Sequence, residues 1–211
     1  LGKCTEAIKY FDKALSIDPN SFDALNGKAN SLSKLDRYEE AKKFYEEAHR
    51  IKADDCQVWE SKGLVLFNLG KYEEAIQCYD QVIRIKPDYP QALVDKGCVL
   101  LQINKHEDAI KCFDQATKID RDIHDAWYFK GLALDEISKY EEAIPCFDQA
   151  IRIKPTDHNS LLKKGNALYI LDKTKEAIDA YDQATRVKPK FSDAWYNKGC
   201  GLKILQKYEE A

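Results

Sequence analysis

The sequence has no methionine, and only nine glycines and six prolines among its 211 residues. So few turn-forming residues exclude a many-turned all-β protein. Its seven cysteines include no C-x-x-C pair. An odd count at unpaired spacing argues against a disulfide framework or a structural zinc site, and it points to a reducing, cytoplasmic setting. No stretch approaches the roughly 18 uncharged apolar residues that a membrane span requires, so no membrane partner is expected. Neither sign of charge dominates. The 33 basic and 36 acidic residues give a net charge of −3, which leaves no broad basic surface for a phosphate backbone and hence no nucleic-acid partner. With 44% apolar residues, the chain has too much to bury to be a disordered tail. The absence of Met at position 1 and of any signal-peptide pattern leads to the expectation of a segment from a longer protein.

What the chain does have is a period. Tyr-Glu-Glu-Ala occurs at 38–41, 72–75, 140–143 and 208–211, and altered copies end at Ala109 and Ala177. Successive alanines stand 34 residues apart or a multiple of it. A second column holds the same register: Lys-Gly begins at Lys62, Lys96, Lys130, Lys164 and Lys198, and Lys28-Ala29 is its first copy. Trp59, Trp127 and Trp195 stand three residues before their own Lys. Pro19, Pro87, Pro155 and Pro189 follow the alanine of their units by 12 residues. A fixed period of this length is the mark of a stacked repeat.

Within a unit, apolar residues follow helical spacing in two stripes. In the unit 56–89 the first runs through Val58, Trp59, Val65, Leu66 and Leu69, and the second from Tyr72 through Ile85. Gly70-Lys71 separates them, and Gly70 is suited to the left-handed turn that ends a helix. Lys-Pro-Asp closes the second stripe, since proline cannot continue a helix. Each unit is helix, turn, helix, stop. Pro145 lies inside a second helix and predicts a mild local kink there.

These columns resemble the tetratricopeptide repeat (TPR) family, and the resemblance covers the whole chain. It implies an all-α fold: a right-handed superhelix, or α-solenoid, of antiparallel helix pairs in one domain, 1–211. Residues 1–21 are a half repeat, 22–55, 56–89, 90–123, 124–157 and 158–191 are full repeats, and 192–211 are a first helix plus the start of the next. Lys replaces the usual Leu before Gly in every unit. A Lys stem can cover apolar surface while its head pairs with a carboxylate, and the column Asp80, Asp114, Asp148 and Asp182 is the expected partner set. The Trp and Phe/Tyr columns are expected to fill the space between successive pairs, with about 3–5 kcal/mol lost on deleting one Trp.

Catalytic chemistry is not visible. No phosphate-binding glycine loop, nucleophile elbow or H-E-x-x-H motif occurs. Paired glutamates such as Glu39-Glu40 open second helices, where they complement the helix dipole. His124 and His158 open consecutive units. They read as solvated helix-start residues, with a metal or pH-sensing pair as the alternative. Cys78, Cys112 and Cys146 share one packing column, and Cys98 and Cys200 share a groove-facing one. No catalytic residue, metal or cofactor is assigned.

The TPR resemblance implies a concave groove lined by first-helix columns. The candidate residues are Glu60, Asp95, Asp125, Tyr128, Phe129, Leu132, Asp135, Glu136, Leu162, Asn166, Tyr169, Tyr196 and Asn197. Across all units these columns carry seven acids and three bases, counting Asp23, Asp193, Lys34, Lys163 and Lys203 with those named. Asn166 and Asn197 match only part of a carboxylate clamp, and the Lys such a clamp needs is missing. The expected function is a non-enzymatic scaffold for a peptide or helix of a partner protein, with a basic or apolar segment favoured. One alternative is an accessory region of a larger enzyme, such as an O-linked sugar transferase. The other is a module that associates head to tail through its two ends.

Overall fold

A computed structural model describes residues 2–209, with side chains to Gln206. Among the described residues there are twelve α-helices and no strand. Second-type helices are α1 (Gly2–Ile17), α3 (Tyr38–Ile51), α5 (Tyr72–Ile85), α7 (His106–Ile119), α9 (Tyr140–Ile153) and α11 (Thr174–Val187). First-type helices are α2 (Phe22–Ser33), α4 (Cys56–Asn68), α6 (Pro90–Gln102), α8 (His124–Glu136), α10 (His158–Ile170) and α12 (Ser192–Glu209). Contacts divide the chain into two compact units, α1–α6 and α7–α12, with the boundary after Ile103. Among the described residues no helix is long and apolar enough to cross a membrane.

The turn between paired helices is the same device each time. In the unit 56–89, the Lys71 N–H donates to the Leu66 carbonyl at 2.9 Å and the Gly70 N–H to that of Phe67 at 2.9 Å. This is the glycine-type helix stop, with Gly70 at φ 71°. Its equivalents at Asp36, Asn104, Ser138 and Asp172 take the same left-handed conformation with a side chain in place, at φ 57–60°. The turn is therefore imposed at every unit, and glycine supplies it without strain at only one.

Close approach of the paired helices comes from a small residue facing an aromatic ring. A methyl group added at Gly63 would stand 2.9 Å from the Tyr79 ring. At Gly131 it would stand 2.6 Å from Phe147, and at Gly165 2.5 Å from Tyr181. Beside these rings the alanine column (Ala41, Ala75, Ala109, Ala143 and Ala177) is fully buried. Each unit thus buries its Phe or Tyr in a seat that only glycine or alanine leaves open.

The tryptophans behave differently from the expectation. Trp59 and Trp127 are half-buried and Trp195 is exposed. Trp59 and Trp127 pack against the edges of the cores around Leu66 and Leu134, and all three also latch the turn that joins two repeats. Each indole N–H donates to the carbonyl six residues earlier: Trp59 to Ala53 (2.7 Å), Trp127 to Arg121 (2.9 Å) and Trp195 to Pro189 (2.9 Å). The neighbouring Lys leans on the indole, Nζ lying 5.3–5.6 Å from the ring centre.

The same lysines reach the aspartate column of the preceding second helix. Lys96–Asp80, Lys130–Asp114, Lys164–Asp148 and Lys198–Asp182 all close at 2.6 Å, and Lys28–Asp12 at 2.5 Å. Only Lys62 departs: its column partner is Glu46, which lies 3.8 Å from Lys42. Each half-exposed pair contributes up to about 1 kcal/mol, and each ties one repeat to the next.

Pro145 sits inside α9, which spans Tyr140–Ile153. One expectation at the end of a helix changes. The helix α12 runs straight through the position where every other first helix turns. There Gln206 replaces Asp, Gly, Asn or Ser, and a straight-chain residue favours helix and disfavours the left-handed turn.

Two stability predictions follow from these observations. Ser138→Gly removes the side chain from a left-handed turn and should stabilise by about 1 kcal/mol, read as a higher Tm. Phe147→Ala empties a buried seat and should cost about 3–5 kcal/mol by urea denaturation, and Trp127→Ala, whose ring is half in solvent, should cost less.

Candidate functional site

The second unit gathers most of the predicted groove residues on three first helices, α8, α10 and α12, with α10 in contact with each of the other two. Helical spacing sets one column of each helix toward the same side, so α8 contributes Tyr128, Leu132 and Asp135, α10 contributes Leu162, Asn166 and Tyr169, and α12 contributes Tyr196 and Asn197.

Between α10 and α12 lies an open cavity of about 340 Å³, lined by Asn166, Tyr169, Ile170, Tyr181, Tyr196, Asn197 and Cys200. Asn166 is its fixed point. The Tyr181 hydroxyl donates to Asn166 Oδ1 at 3.0 Å, and Asn197 Nδ2 donates to the same oxygen at 2.9 Å. With that oxygen doubly occupied, the Asn166 amide nitrogen and the Asn197 carbonyl oxygen are the donor and acceptor left to a ligand. Burial pushes the Tyr181 pKa well above its ordinary value, so the hydroxyl remains a donor at neutral pH. Tyr196 is 73% exposed and Ile170 51%, which gives the cavity apolar rims. None of the lining residues carries a charge.

The remaining predicted aromatics are partly committed to packing. Tyr128 meets Phe129 edge-on at 5.3 Å and packs against Phe147 at 6.4 Å, while Phe129 stacks on Phe113 at 6.2 Å. Leu132 packs against the core around Leu134, and Leu162 and Tyr169 against the core around Leu168. All five are half-buried.

The acids are engaged in pairs. Asp135 meets Lys163 at 3.3 Å, Glu136 meets His106 at 3.2 Å and Asp125 meets His124 at 2.8 Å. With Asp135 and Lys163 cancelling, the groove columns of this unit retain Asp125, Glu136 and Asp193 against Lys203, a formal balance of −2. In the first unit, Glu60 accepts from the Tyr89 hydroxyl at 2.9 Å, and Asp95 accepts from Gln91 Nε2 at 2.8 Å. Burial and the bond to Glu60 push the Tyr89 pKa up to about 12. The first unit repeats the tyrosine–asparagine bond as Tyr45 to Asn30, at 2.7 Å.

Sequence reasoning left three lining residues outside its favoured set. Ile170 and Cys200 lie on groove columns, and Tyr181 lies in the Phe/Tyr column of the second helices. Its signal is a Tyr in that column together with an Asn 15 residues earlier, as at Tyr45 and Asn30; Tyr79 faces Leu64 instead.

His124 and His158 do not meet. His124 Nε2 lies 3.0 Å from Asp157 Oδ2, while His158 Nε2 lies 3.0 Å from Lys188 Nζ. Burial and the Lys188 charge hold the His158 pKa below its ordinary value. Among the described residues no cluster of His, Cys, Asp or Glu suits a metal ion. Asp157 is buried and caps α10, accepting from the Asn159 and Ser160 amides and the Ser160 hydroxyl. Burial alone would raise its pKa, but the bonds from Ser160, His124 and the Asn159 amide outweigh burial and hold the carboxyl below the usual range. The buried thiols of Cys78 and Cys146 are pushed up to about 11, as packing residues rather than nucleophiles.

Asp157 therefore stabilises the fold in its charged form. That contribution is complete above the unfolded carboxyl pKa of about 4 and is lost as pH falls through the lower native value. The stability gap between the wild type and Asp157→Asn should be widest near neutral pH and shrink below pH of about 4, measured by urea denaturation across that range.

Family models for a "TPR repeat" match residues 63–103 and 165–199, and one for a "Tetratricopeptide repeat" matches 94–158. A third, "Anaphase-promoting complex, cyclosome, subunit 3", matches 1–82. No curated protein sequence matches significantly. Among solved structures, PilF of Pseudomonas aeruginosa is 22% identical with a TM-score of 0.77, covering 94% of this chain and 90% of its own. YrrB, "a TPR protein with an unusual peptide-binding site", is 20% identical with a TM-score of 0.70, covering 90% and 97%. MamA from Desulfovibrio magneticus RS-1 is 22% identical with a TM-score of 0.73, covering 81% and 96%. The 34-residue helix pairs, the glycine–aromatic seats, and family matches that together run over 1–158 and 165–199 make this chain a member of the tetratricopeptide repeat family.

Proposed function

We propose that this protein is a non-enzymatic scaffold that binds an extended segment of a partner protein on its first-helix face, with the cleft between α10 and α12 as the principal seat. The arrangement at Asn166 carries the reading. Two bonds from Tyr181 and Asn197 hold its carboxamide still, so one donor and one acceptor stand fixed in the floor of an apolar-rimmed cavity. An extended peptide presents one N–H and one C=O per residue and suits such a pair. The exposed Tyr196 and Ile170 would hold an apolar side chain of that segment. The acidic balance of the surrounding columns favours basic residues on either side of it.

The nearest arrangement to a catalytic triad argues for the scaffold over an enzyme. In His124–Asp157–Ser160 the carboxylate lies between the other two, and the fully buried serine hydroxyl donates to it. A nucleophilic serine needs the imidazole at its hydroxyl. The described peptide site of YrrB, a structural neighbour, accords with the proposed use of the fold.

Fluorescence anisotropy with paired peptides tests the reading. Peptides carrying a Phe or Leu between Lys/Arg residues should bind more tightly than Asp/Glu versions of the same length. Tyr196→Ala and Asn166→Ala should each weaken that binding about tenfold or more, about 1.4 kcal/mol, with the far-UV spectrum unchanged. A preference for the acidic peptides, or indifference to both substitutions, would overturn it.

A further inference from the structure

We propose that the side of the second helices carries a separate socket for an indole ring, at Leu161, which takes a tryptophan side chain from a basic segment of a partner protein. A cleft of about 240 Å³ opens there, lined by α9, α10 and α11. Leu161, Leu168 and Ala180 form its buried floor, and Ile151 one wall. Lys164, Glu176 and Asp179 stand at its rim. The second helices on both sides, α9 and α11, are in place, so the cleft belongs to this repeat and not to an end of the chain.

The chain itself shows what such a cleft fits. Three repeats earlier, Ile151, Leu161, Leu168 and Ala180 correspond to His49, Trp59, Leu66 and Cys78. There Trp59 packs on the core that holds Leu66 and Cys78, with its ring centre 4.2 Å from that of His49. One repeat earlier the tryptophan is Trp127, and it packs on the core of Leu134 and Cys146. The cleft at Leu161 is the volume that these two indoles fill. Other repeats with Leu in the tryptophan column carry a larger residue in the column of Ala180. Phe44 accompanies Leu25, with Lys28 Nζ 3.9 Å from its ring centre, and Cys112 accompanies Leu93. Leu161 and Ala180 are the smallest pair, and no ring of their own repeat occupies the place.

The polar parts of the socket are present as well. Trp59 and Trp127 donate to the carbonyl six residues earlier, and the equivalent acceptor here is the carbonyl of Pro155. Lys164 is held by Asp148 at 2.6 Å, as Lys130 is by Asp114, and Lys130 leans on Trp127 with Nζ 5.6 Å from the ring centre. An entering indole would meet an apolar floor, a carbonyl for its N–H and a lysine beside its ring. The rim identifies the chain that carries the ring. With Lys164 neutralised by Asp148, the exposed Glu176 and Asp179 leave it acidic, which favours lysine or arginine next to the tryptophan. A tryptophan anchored in a pocket within a charged rim is the form that a binding hot spot takes.

Isothermal titration calorimetry with a short peptide carrying one Trp between Lys/Arg residues tests this. The peptide should bind the wild type. Replacing its Trp by Ala, or its basic residues by Asp/Glu, should weaken binding about tenfold or more. Free indole should bind more weakly than the peptide. Leu161→Trp supplies the ring from within, as the repeats 56–89 and 124–157 do, so it should abolish binding of the Trp peptide and raise Tm by filling the cleft. Ala180→Phe copies Phe44 and should abolish binding too. The cleft shares no residue with the one between α10 and α12, so the two binding proposals stand or fall separately. A wild type that does not bind the Trp peptide, undiminished binding to both filled variants, a lower Tm for Leu161→Trp, or free indole binding as tightly as the peptide would each overturn the proposal.

Discussion

Everything in this fold depends on one steric fit, a ring of the second helix lying where the first helix has no side chain or only the methyl of Ala29. At Gly131 and Gly165 the ring comes so near that a single added carbon would have to displace it. That approach sets the spacing of the pair, and the spacing lets the alanine and leucine columns close around the ring. An isolated pair cannot bury both faces of its second helix, so the same ring must also meet the next first helix. Phe113 does so against Phe129, and Phe11 against Gly27. Pairing within a repeat and stacking between repeats therefore rest on the same residue.

The polar columns act on top of this fit. The lysine before the glycine seat leans on the tryptophan and holds the aspartate of the preceding helix. The tryptophan in turn ties down the carbonyl of the inter-repeat turn. Each of these interactions is small and half-solvated, but each recurs at the same column and resists sliding of one repeat on the next. The proposed binding face follows from the same order. Because the second helices occupy one side of the first, the opposite columns of α8, α10 and α12 are the ones the proposal assigns to a partner. The side chains there vary from repeat to repeat: the column of Tyr169 holds Ser33, Phe67, Leu101, Asp135 and Lys203 in the other repeats.

Much of this was legible in the residues because a period leaves the same mark at each copy. Lys-Gly, Glu-Ala and Pro recur in register, and the physical demands that select them do not depend on distant parts of the chain. The lysine–aspartate ladder was legible for the same reason. The site was legible only in outline. Groove columns can be numbered from the repeat, but the numbering does not tell which of Tyr128, Phe129 and Tyr196 is spent on packing and which stands in solvent. Nor does it show that Tyr181, a core residue by its column, reaches Asn166 with its hydroxyl.

Sequence by itself determined that this protein is all-α, where its helices from α1 to α11 begin and end, and which small and large residues face one another, because these follow from local spacing and from the intolerance of a close helix contact for added volume. Tertiary structure alone decided that the tryptophans latch turns as well as packing at the edge of the core, that His124 finds Asp157 rather than His158, and that α12 continues where its counterparts turn. Those outcomes depend on which groups compete for the same space and the same hydrogen bond, and that competition exists only once neighbouring helices are in place.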